Sequence, residues 1–445
     1  MGDKLKREGR QLEYKEMLND YRAICRTIVA FSNDIGGEIL VGVRDADRSL
    51  VGLSEEQVEQ YLEDVPKAAF DAIAPYCVPE LTTQWVGEKC LVRIRVHPGE
   101  RKPYLIKSEG TPKGVYVRVG AHSRRATPEL HEDLLRQGAR RSWDEEAADI
   151  DVSQLDQTLL RTYYNGPPDS SSLQADQVIA LTQPSAQLRV THAGVVFFHP
   201  HPSDALPQCE LLYSEFGGET PTDPVRTIDI SAPLPITVNR VVELLKPHLI
   251  EKEEVTGVVR RQSQWSIPER AVREVLLNAL IHRMYAIASA VKVALFPDRL
   301  EVFNPGNFPG PIDLENLGNG VSYARNPRLR HLARKAGLVE KRGLGFRLIL
   351  DSCLENKNRR PAIVEGGDYV KVTLFRGREE TADGLPEDAQ ALQPYRDSNR
   401  PIKTGEAREI LGVSINTARS RLKDLVRLGY LQPKGKGRAT TYYWT

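Results

Sequence analysis

No Cys-x-x-Cys pair occurs in the sequence, and its five cysteines, Cys25, Cys77, Cys90, Cys209 and Cys353, are scattered. That excludes a zinc ribbon and gives no sign of a disulfide framework, so buried free thiols are expected. No stretch approaches the roughly 20 apolar residues of a membrane-spanning helix. The polar start, MGDKLKREGRQLEYKE, has no apolar core of the kind a secretory signal needs, so a cytoplasmic location with no membrane partner is expected. The Gly-x-x-x-x-Gly-Lys-Ser/Thr phosphate loop is absent, which removes the support a helicase assignment would need. There is no internal repeat. There is almost no net charge either: 61 Lys plus Arg stand against 60 Asp plus Glu, so whole-chain charge identifies no partner.

What is present is a chain of 445 residues, 40% hydrophobic and 27% charged, the balance of a globular protein. It is too long for one ordinary core, and two or three domains of mixed α+β class are expected. An apolar helix from Tyr21 to about Ser32 runs into the turn Asn33-Asp34-Ile35-Gly36-Gly37 and then a strand, Glu38 to Val43. Leu91 to Val96 and Val115 to Val119 alternate in the period-two manner of strands with one wet face. Residues 1–145 therefore read as one α+β unit. Beyond the break at Asn165-Gly-Pro-Pro-Asp, expected to be a surface loop, Gly194 to Phe198 and Glu210 to Tyr213 read as buried strands and Thr237 to Leu249 as a helix. A helix from Pro268 to Arg283 and strands at Val291 to Phe296, Leu300 to Phe303 and Val370 to Phe375 complete a second domain over 146–376. Residues 377–399 are polar and acidic with Pro386 and Pro394, a linker composition.

The tail is different in charge. From Arg400 to Thr445 ten basic residues face only Glu406, Glu409 and Asp424. Thr404 can cap a helix through Ile410, Gly412 supplies a turn, and Ser414 caps a second helix to Leu428. Ala407, Ile410, Val413, Ala418, Leu422 and Leu425 form an apolar seam, which turns Asn416, Thr417, Arg419, Ser420 and Lys423 outward. Tyr430 to Gln432 and Thr440 to Trp444, joined through Gly435 and Gly437 with Lys434, Lys436 and Arg438, read as a basic β-hairpin. This order resembles the winged-helix family, which implies DNA contact through the outward side chains and the basic wing, with protein docking as the other use of such domains.

The first unit carries a more specific pattern: Glu8, then Leu12-Glu13-Tyr14-Lys15, then Ala30-Phe31-Ser32-Asn33-Asp34-Ile35-Gly36-Gly37-Glu38-Ile39-Leu40-Val41-Gly42-Val43-Arg44-Asp45 and Gly52, with Gly114 to Gly120, Ser123 and Arg124 further on. It resembles the Schlafen AlbA-type domain. The resemblance implies nucleic-acid binding and, in one branch, a metal-dependent endoribonuclease whose acidic triad would be Glu8, Glu13 and Asp45, holding Mg²⁺ or Mn²⁺. Lys15 would share the side of Glu13 and neutralise developing phosphate charge. A non-catalytic binding role stays open beside it. Arg7, Arg10, Arg44, Arg118, Arg124 and Arg125 could contact phosphates in either case.

In the second domain Glu274, Asn278 and His282 are spaced four apart along one helix face. The run Arg273 to Arg283 is similar to the first motif of the gyrase and histidine-kinase ATPase fold, where the Glu acts on water and the Asn coordinates Mg²⁺ on ATP phosphates. Lys341-Arg342-Gly343-Leu344-Gly345-Phe346 resembles the later glycine-rich motif. Leu300 to Pro309, including Gly306, falls where that fold carries Asp-x-Gly-x-Gly, but the adenine-reading Asp is absent. The resemblance implies an ATPase-like sandwich with ATP as a cofactor, and the missing Asp removes the hydrogen-bond acceptor that distinguishes ATP, which argues against both specific ATP binding and turnover.

Two functions are compatible with these patterns, beside a third view in which nucleotide closure of the middle domain is an ATP-gated switch of DNA affinity. One is a DNA-binding transcriptional regulator with a nucleotide- or effector-sensing middle domain, working as a homodimer on a palindromic site. The other is a Schlafen-type endoribonuclease acting on tRNA or another structured RNA in defence or stress.

Overall fold

Asp20 accepts a hydrogen bond from the Arg22 amide and starts the helix Tyr21–Asn33, whose inner face buries Ile24, Ile28, Val29 and Phe31. The helix is the crossover that a parallel strand pair requires. The strands it joins, Leu12–Lys15 and Gly37–Val41, run parallel in register Leu12 to Glu38 and Lys15 to Val41. Lys89–Val96 and Glu80–Val86 extend the sheet antiparallel. The turn between helix and sheet can only be glycine. Gly36 has φ +79°, and a Cβ there would lie 2.6 Å from the Val96 carbonyl oxygen, while one on Gly37 would meet the Phe31 ring at 2.5 Å. A capping box of Ser54 and Gln57 opens a second helix, Glu55–Ala72, and Ile39, Val41, Val92 and Ile94 close the core between helices and sheet.

These observations come from a computed structural model, which describes the chain except residues 1–4, 6–7, 183–185, 257–259, 311, 313, 315–316, 319–322, 340–344, 367, 377–386, 398–399, 428–429, 435–439 and 445. The chain divides into two compact units, residues 1–377 and 378–445. The mixed α+β class expected from the sequence holds, with several sheets and many helices.

Within the larger unit a six-stranded sheet follows the N-terminal layer. Its order is Pro224–Ile230, Leu211–Phe216, Val291–Leu295, Arg299–Pro305, Tyr369–Phe375, Ala362–Glu365, with one parallel pair, Leu211–Phe216 beside Val291–Leu295. The helices Leu234–Leu249, Glu269–His282 and Gly345–Glu355 share one core with this sheet, the α/β sandwich expected from the resemblance. Trp143 joins that core from the connector, its ring stacked on Tyr285 at 4.3 Å.

Two expectations are corrected here. Gly194 to Phe198 is not a strand but part of the helix His192–Phe198, started by Thr191, whose hydroxyl accepts from the Gly194 amide. Every side chain from Ala193 to Phe198 is buried, so the run has no polar face from which its period could be read. The break after Asn165 is only partly loop, because Asp169 caps a short helix, Ser170–Ala175.

In the smaller unit, helix Thr404–Leu411 ends at Gly412, with φ +63°, and helix Ile415–Arg427 follows after Ser414 accepts from the Thr417 amide at 3.2 Å. The strands Ile402–Lys403, Thr441–Trp444 and Leu431–Lys434 form a three-stranded antiparallel sheet in that order. The stretch read as linker contributes to this unit. Helices Glu387–Ala391 and Gln393–Asp397 lie within it, and Ala389 and Leu392 are fully buried with Ala407, Leu422 and Leu425. Ile410, assigned to the apolar seam, is instead 39% exposed.

Candidate functional site

The spacing of Glu274, Asn278 and His282 does what a four-residue period should: all three line one cavity of about 180 Å³ beside the helix Glu269–His282. Asn278 Nδ2 donates to Glu274 Oε1 at 3.1 Å. The opposite walls are apolar, with Val302 and Val370 from the sheet and Phe346 and Ile349 from the helix that begins at Gly345. A Cβ on Gly345 would run into the Glu274 carboxylate and lie 3.3 Å from Asn278 Nδ2, so glycine is what lets that helix start directly over the pair.

Two of the lining residues carry a buried polar atom with no hydrogen-bond partner among the described residues, His282 Nδ1 and Asn304 Oδ1. An unmade bond of this kind costs about 1–3 kcal/mol, which makes such atoms candidates for a bond to a ligand. Burial, reinforced by the nearby Arg325 and Arg330 guanidinium groups, lowers the His282 pKa to about 4, so its ring is neutral at pH 7. The donor set suits an uncharged polar ring against an apolar floor, with Glu274 and Asn278 at one end.

The adenine-reading Asp is absent, and Asn304, which opens Asn304-Pro305-Gly306 at the end of the strand Arg299–Pro305, is the residue of that run that lines the cavity from the strand end. Gly306 is not among the cavity-lining residues. It has φ +99°, and a Cβ there would strike Met284. Gly343 lies outside the described residues. Asn304 and Asn307 fall in the run Leu300 to Pro309 that the sequence marked without naming them as site residues, while Tyr323, in the following loop, was missed because no periodicity marks it.

The N-terminal acids do not gather as a triad. Glu13 Oε2 accepts from Arg118 Nη1 at 2.6 Å and Glu13 Oε1 lies 2.8 Å from Lys15 Nζ. Lys15 does share the side of Glu13, as its two-residue offset requires. Glu8 Oε1 instead accepts from the Tyr14 amide at 2.6 Å, and its pKa is raised, by burial first and then by the adjacent Asp45 carboxyl. Among the described residues no three His, Cys, Asp or Glu side chains are placed to hold a metal ion. With Glu13 committed to two cations, the donor set does not fit the expected Mg²⁺ or Mn²⁺ site.

Arg118 is corrected as a nucleic-acid contact. Its side chain has 0% exposure, packs 4.7 Å over the Phe31 ring and donates to the Gly9 carbonyl at 2.9 Å. Arg10 and Arg125 are held by Asp34 and Glu109. Arg124 remains exposed on the strand His122–Arg125, which forms a hairpin with Tyr116–Val119. Asn33, read as part of the family pattern, is structural: its amide donates to the carbonyls of Tyr104 and Tyr116 and accepts from the Tyr104 amide.

On the helix Ile415–Arg427, Thr417, Arg419, Ser420 and Lys423 are exposed while Ala418, Leu422 and Leu425 are buried. Thr417 also pairs its hydroxyl with Ser414 at 2.8 Å. Lys434 is half-buried, its ammonium 5.1 Å from the Tyr443 ring centre. Lys436, Arg438 and the Asn416 side chain lie outside what is described.

With this geometry in hand, comparison with known proteins assigns two regions. Residues 8–127 match the family described as Schlafen, AlbA_2, and residues 288–374 match the ATPase-type family described as "Putative ATP-dependent DNA helicase recG C-terminal". The chain therefore carries a Schlafen AlbA-type domain and, after it, a divergent domain of the gyrase and histidine-kinase ATPase type. A curated ATP-binding protein of Ureaplasma parvum is 34% identical over 91 residues, 20% of this chain and 26% of that protein, so the match spans about a quarter of the relative's length. A solved structure from Corynebacterium diphtheriae aligns with 98% of this chain and 95% of its own, at 17% identity and TM-score 0.46. The N-terminal domain of a RecG-related protein from Nitrosomonas europaea aligns with 27% of this chain and 85% of its own, at 25% identity and TM-score 0.22. Among the described residues no helix is long and apolar enough to cross a membrane.

Proposed function

We propose that this protein is a DNA-binding transcriptional regulator, working as a homodimer, whose middle domain senses ATP. The observation that carries the DNA reading is the second helix of the smaller unit. Its buried edge, Ala418, Leu422 and Leu425, leaves Arg419, Ser420 and Lys423 in solvent on a helix that follows a three-residue turn from its predecessor. This supports reading it as the recognition helix of a winged helix-turn-helix, with the hairpin of Leu431–Lys434 and Thr441–Trp444 as the wing.

The ATP reading is supported by the cavity beside Glu269–His282 and by the name of the Ureaplasma parvum relative. Asn304 Oδ1 would accept from the adenine amino group, the apolar floor would hold the ring, and Glu274 and Asn278 would face the phosphate end, where a nucleotide-bound Mg²⁺ supplies charge neutralisation. Binding without turnover suits a sensor. The ribonuclease reading is weakened by the commitment of Glu13 to Arg118 and Lys15.

Removal of residues 378–445 tests the first claim. The full chain should protect a DNA operator from nuclease digestion with affinity that falls steeply with salt, and the truncated chain should not. Retention of the same footprint without the smaller unit would sink the DNA reading. Calorimetric titration with ATP and Mg²⁺, repeated on Asn278→Ala, tests the second.

A further inference from the structure

A larger cavity, about 740 Å³, opens inside the 1–377 unit where the N-terminal layer meets the ATPase-type domain. Its walls come from the turn after the helix Tyr21–Asn33, from the helix Pro128–Gly138 and from the loop after the strand Arg299–Pro305. Glu8, Glu13, Asp45 and the Glu274 constellation lie outside it, while Asp34, Glu100, Asp133 and Glu145 line it beside Arg10, Lys102, Arg140, Arg141 and Arg325.

Its charge is unbalanced in a specific way. The Asp34 carboxylate is taken by Arg10, whose Nε donates to Oδ2 at 2.6 Å. Lys102 Nζ must make do with the Asp34 backbone carbonyl at 3.1 Å and Gln137 Oε1 at 3.0 Å. Among the described residues Arg325 donates to two carbonyls, of His282 at 3.1 Å and Asn307 at 3.0 Å. Neither Lys102 nor Arg325 has a carboxylate within 4.0 Å among the described residues. Asp34, bound to Arg10, and Asp133, held by Gln137 Nε2 at 2.9 Å, both act on the two cations from further away, Asp34 the more strongly on Lys102 and Asp133 on Arg325. Burial correspondingly lowers the pKa of Lys102. Two cations partnered by neutral carbonyls in a sheltered space are costly unless an anion joins them.

We infer that this cavity is a second ligand site, for a phosphorylated small molecule of nucleoside-monophosphate size. The phosphate would sit between Lys102 and Arg325, as charge-assisted bonds require. The volume falls in the range of small-molecule sites, roughly 300–1,000 Å³, and exceeds what a bare phosphate fills. Tyr323, 43% exposed, offers a flat ring to a base.

The site is built to be felt by the ATP cavity. Asn307 and Tyr323 line both. Arg10, in the wall of the larger cavity, also donates to the carbonyls of Phe308 at 3.0 Å and Ile312 at 3.2 Å, two residues that line the smaller one. A ligand on Lys102 and Arg325 thus bears on the loop that closes the ATP cavity. The coupling rests on the ATP reading, but the binding does not.

The probe is AMP, titrated calorimetrically into the full chain. AMP should bind the wild type, bind Asn278→Ala with unchanged affinity, and lose about tenfold or more on Lys102→Met. Lys102→Arg should retain most of the affinity, which separates loss of charge from loss of fold. Absence of saturable AMP binding by the wild type would overturn the inference, and so would loss of binding in Asn278→Ala rather than in Lys102→Met, which would place AMP in the ATP cavity. Should ATP fail to bind while AMP still responds to Lys102→Met alone, the ATP reading fails and this site stands.

Discussion

Arg118 Nη1 and Glu13 Oε2 lie 2.6 Å apart with the arginine side chain wholly buried, so two residues 105 positions apart in sequence form one buried ion pair beneath the N-terminal hairpin. Ser123 and the Gly9 carbonyl take further protons of the guanidinium, while its Nε has no partner among the described residues. A pair in this environment behaves asymmetrically: loss of one member leaves an uncompensated buried charge, and loss of both need not.

Glu13→Ala should therefore destabilise the protein by about 3–5 kcal/mol, and Glu13→Leu combined with Arg118→Met should recover much of that loss. The measurement is a urea midpoint at unchanged slope. Asp45→Asn supplies the contrast, because it should leave stability nearly unchanged. A metal-dependent ribonuclease would lose Mn²⁺-dependent RNA cleavage in that well-folded variant. Cleavage by the wild type that Asp45→Asn abolishes would restore the nuclease reading.

The ion pair also marks where the sequence stopped being informative. Glu13 and Lys15 were placed on one side by simple alternation, and the helix carrying Glu274, Asn278 and His282 was legible because a four-residue spacing survives any tertiary context. Arg118 looked like any strand arginine, since nothing local reveals a partner so far away. The helix His192–Phe198 was hidden by being apolar all round, and the helices around Ala389 and Leu392 by a polar composition that two buried side chains suffice to override. The cavity at Lys102 and Arg325 depends on the meeting of segments more than 200 residues apart, which no motif encodes.

His282 gives a pH prediction with a definite sign. Its folded pKa, about 4, lies below its ordinary value of 6.5, so between these limits the unfolded chain binds a proton that the folded chain does not. Stability should be flat in this contribution above pH 6.5, fall as pH drops towards 4, and level off below. His282→Gln should remove that part of the slope. An unchanged pH profile for the variant would show that the ring is protonated as easily in the folded state.

At the ATP cavity, Gly345→Ala should abolish nucleotide binding, because the new methyl group would occupy the space beside the Glu274 carboxylate. Asn304→Leu removes the unpartnered acceptor and should weaken ATP by about 1–3 kcal/mol, whereas Asn304→Asp keeps an acceptor and should hold the affinity within a few fold. Calorimetry with ATP and with GTP reads both effects, the Leu variant narrowing the gap between the two nucleotides. Equal ATP affinity in the wild type and Asn304→Leu would show that Asn304 does not read the base.

On the smaller unit, the outward cations and the inward core make separable predictions. Arg419→Ala with Lys423→Ala should leave thermal stability unchanged, since both side chains are exposed. If each contacts one phosphate, the slope of log affinity against log salt should fall in magnitude by about 0.9 for each, near 1.8 together. Leu392→Ala acts the other way. Leu392 is fully buried, and its carbonyl accepts from Trp444 Nε1 at 3.3 Å, so truncation should cost about 2–5 kcal/mol of local stability. DNA binding should then be lost on mild heating while the salt slope below the melting point stays as in the wild type. A salt slope that Arg419→Ala and Lys423→Ala leave untouched would remove this helix from the DNA contact whatever the stability result.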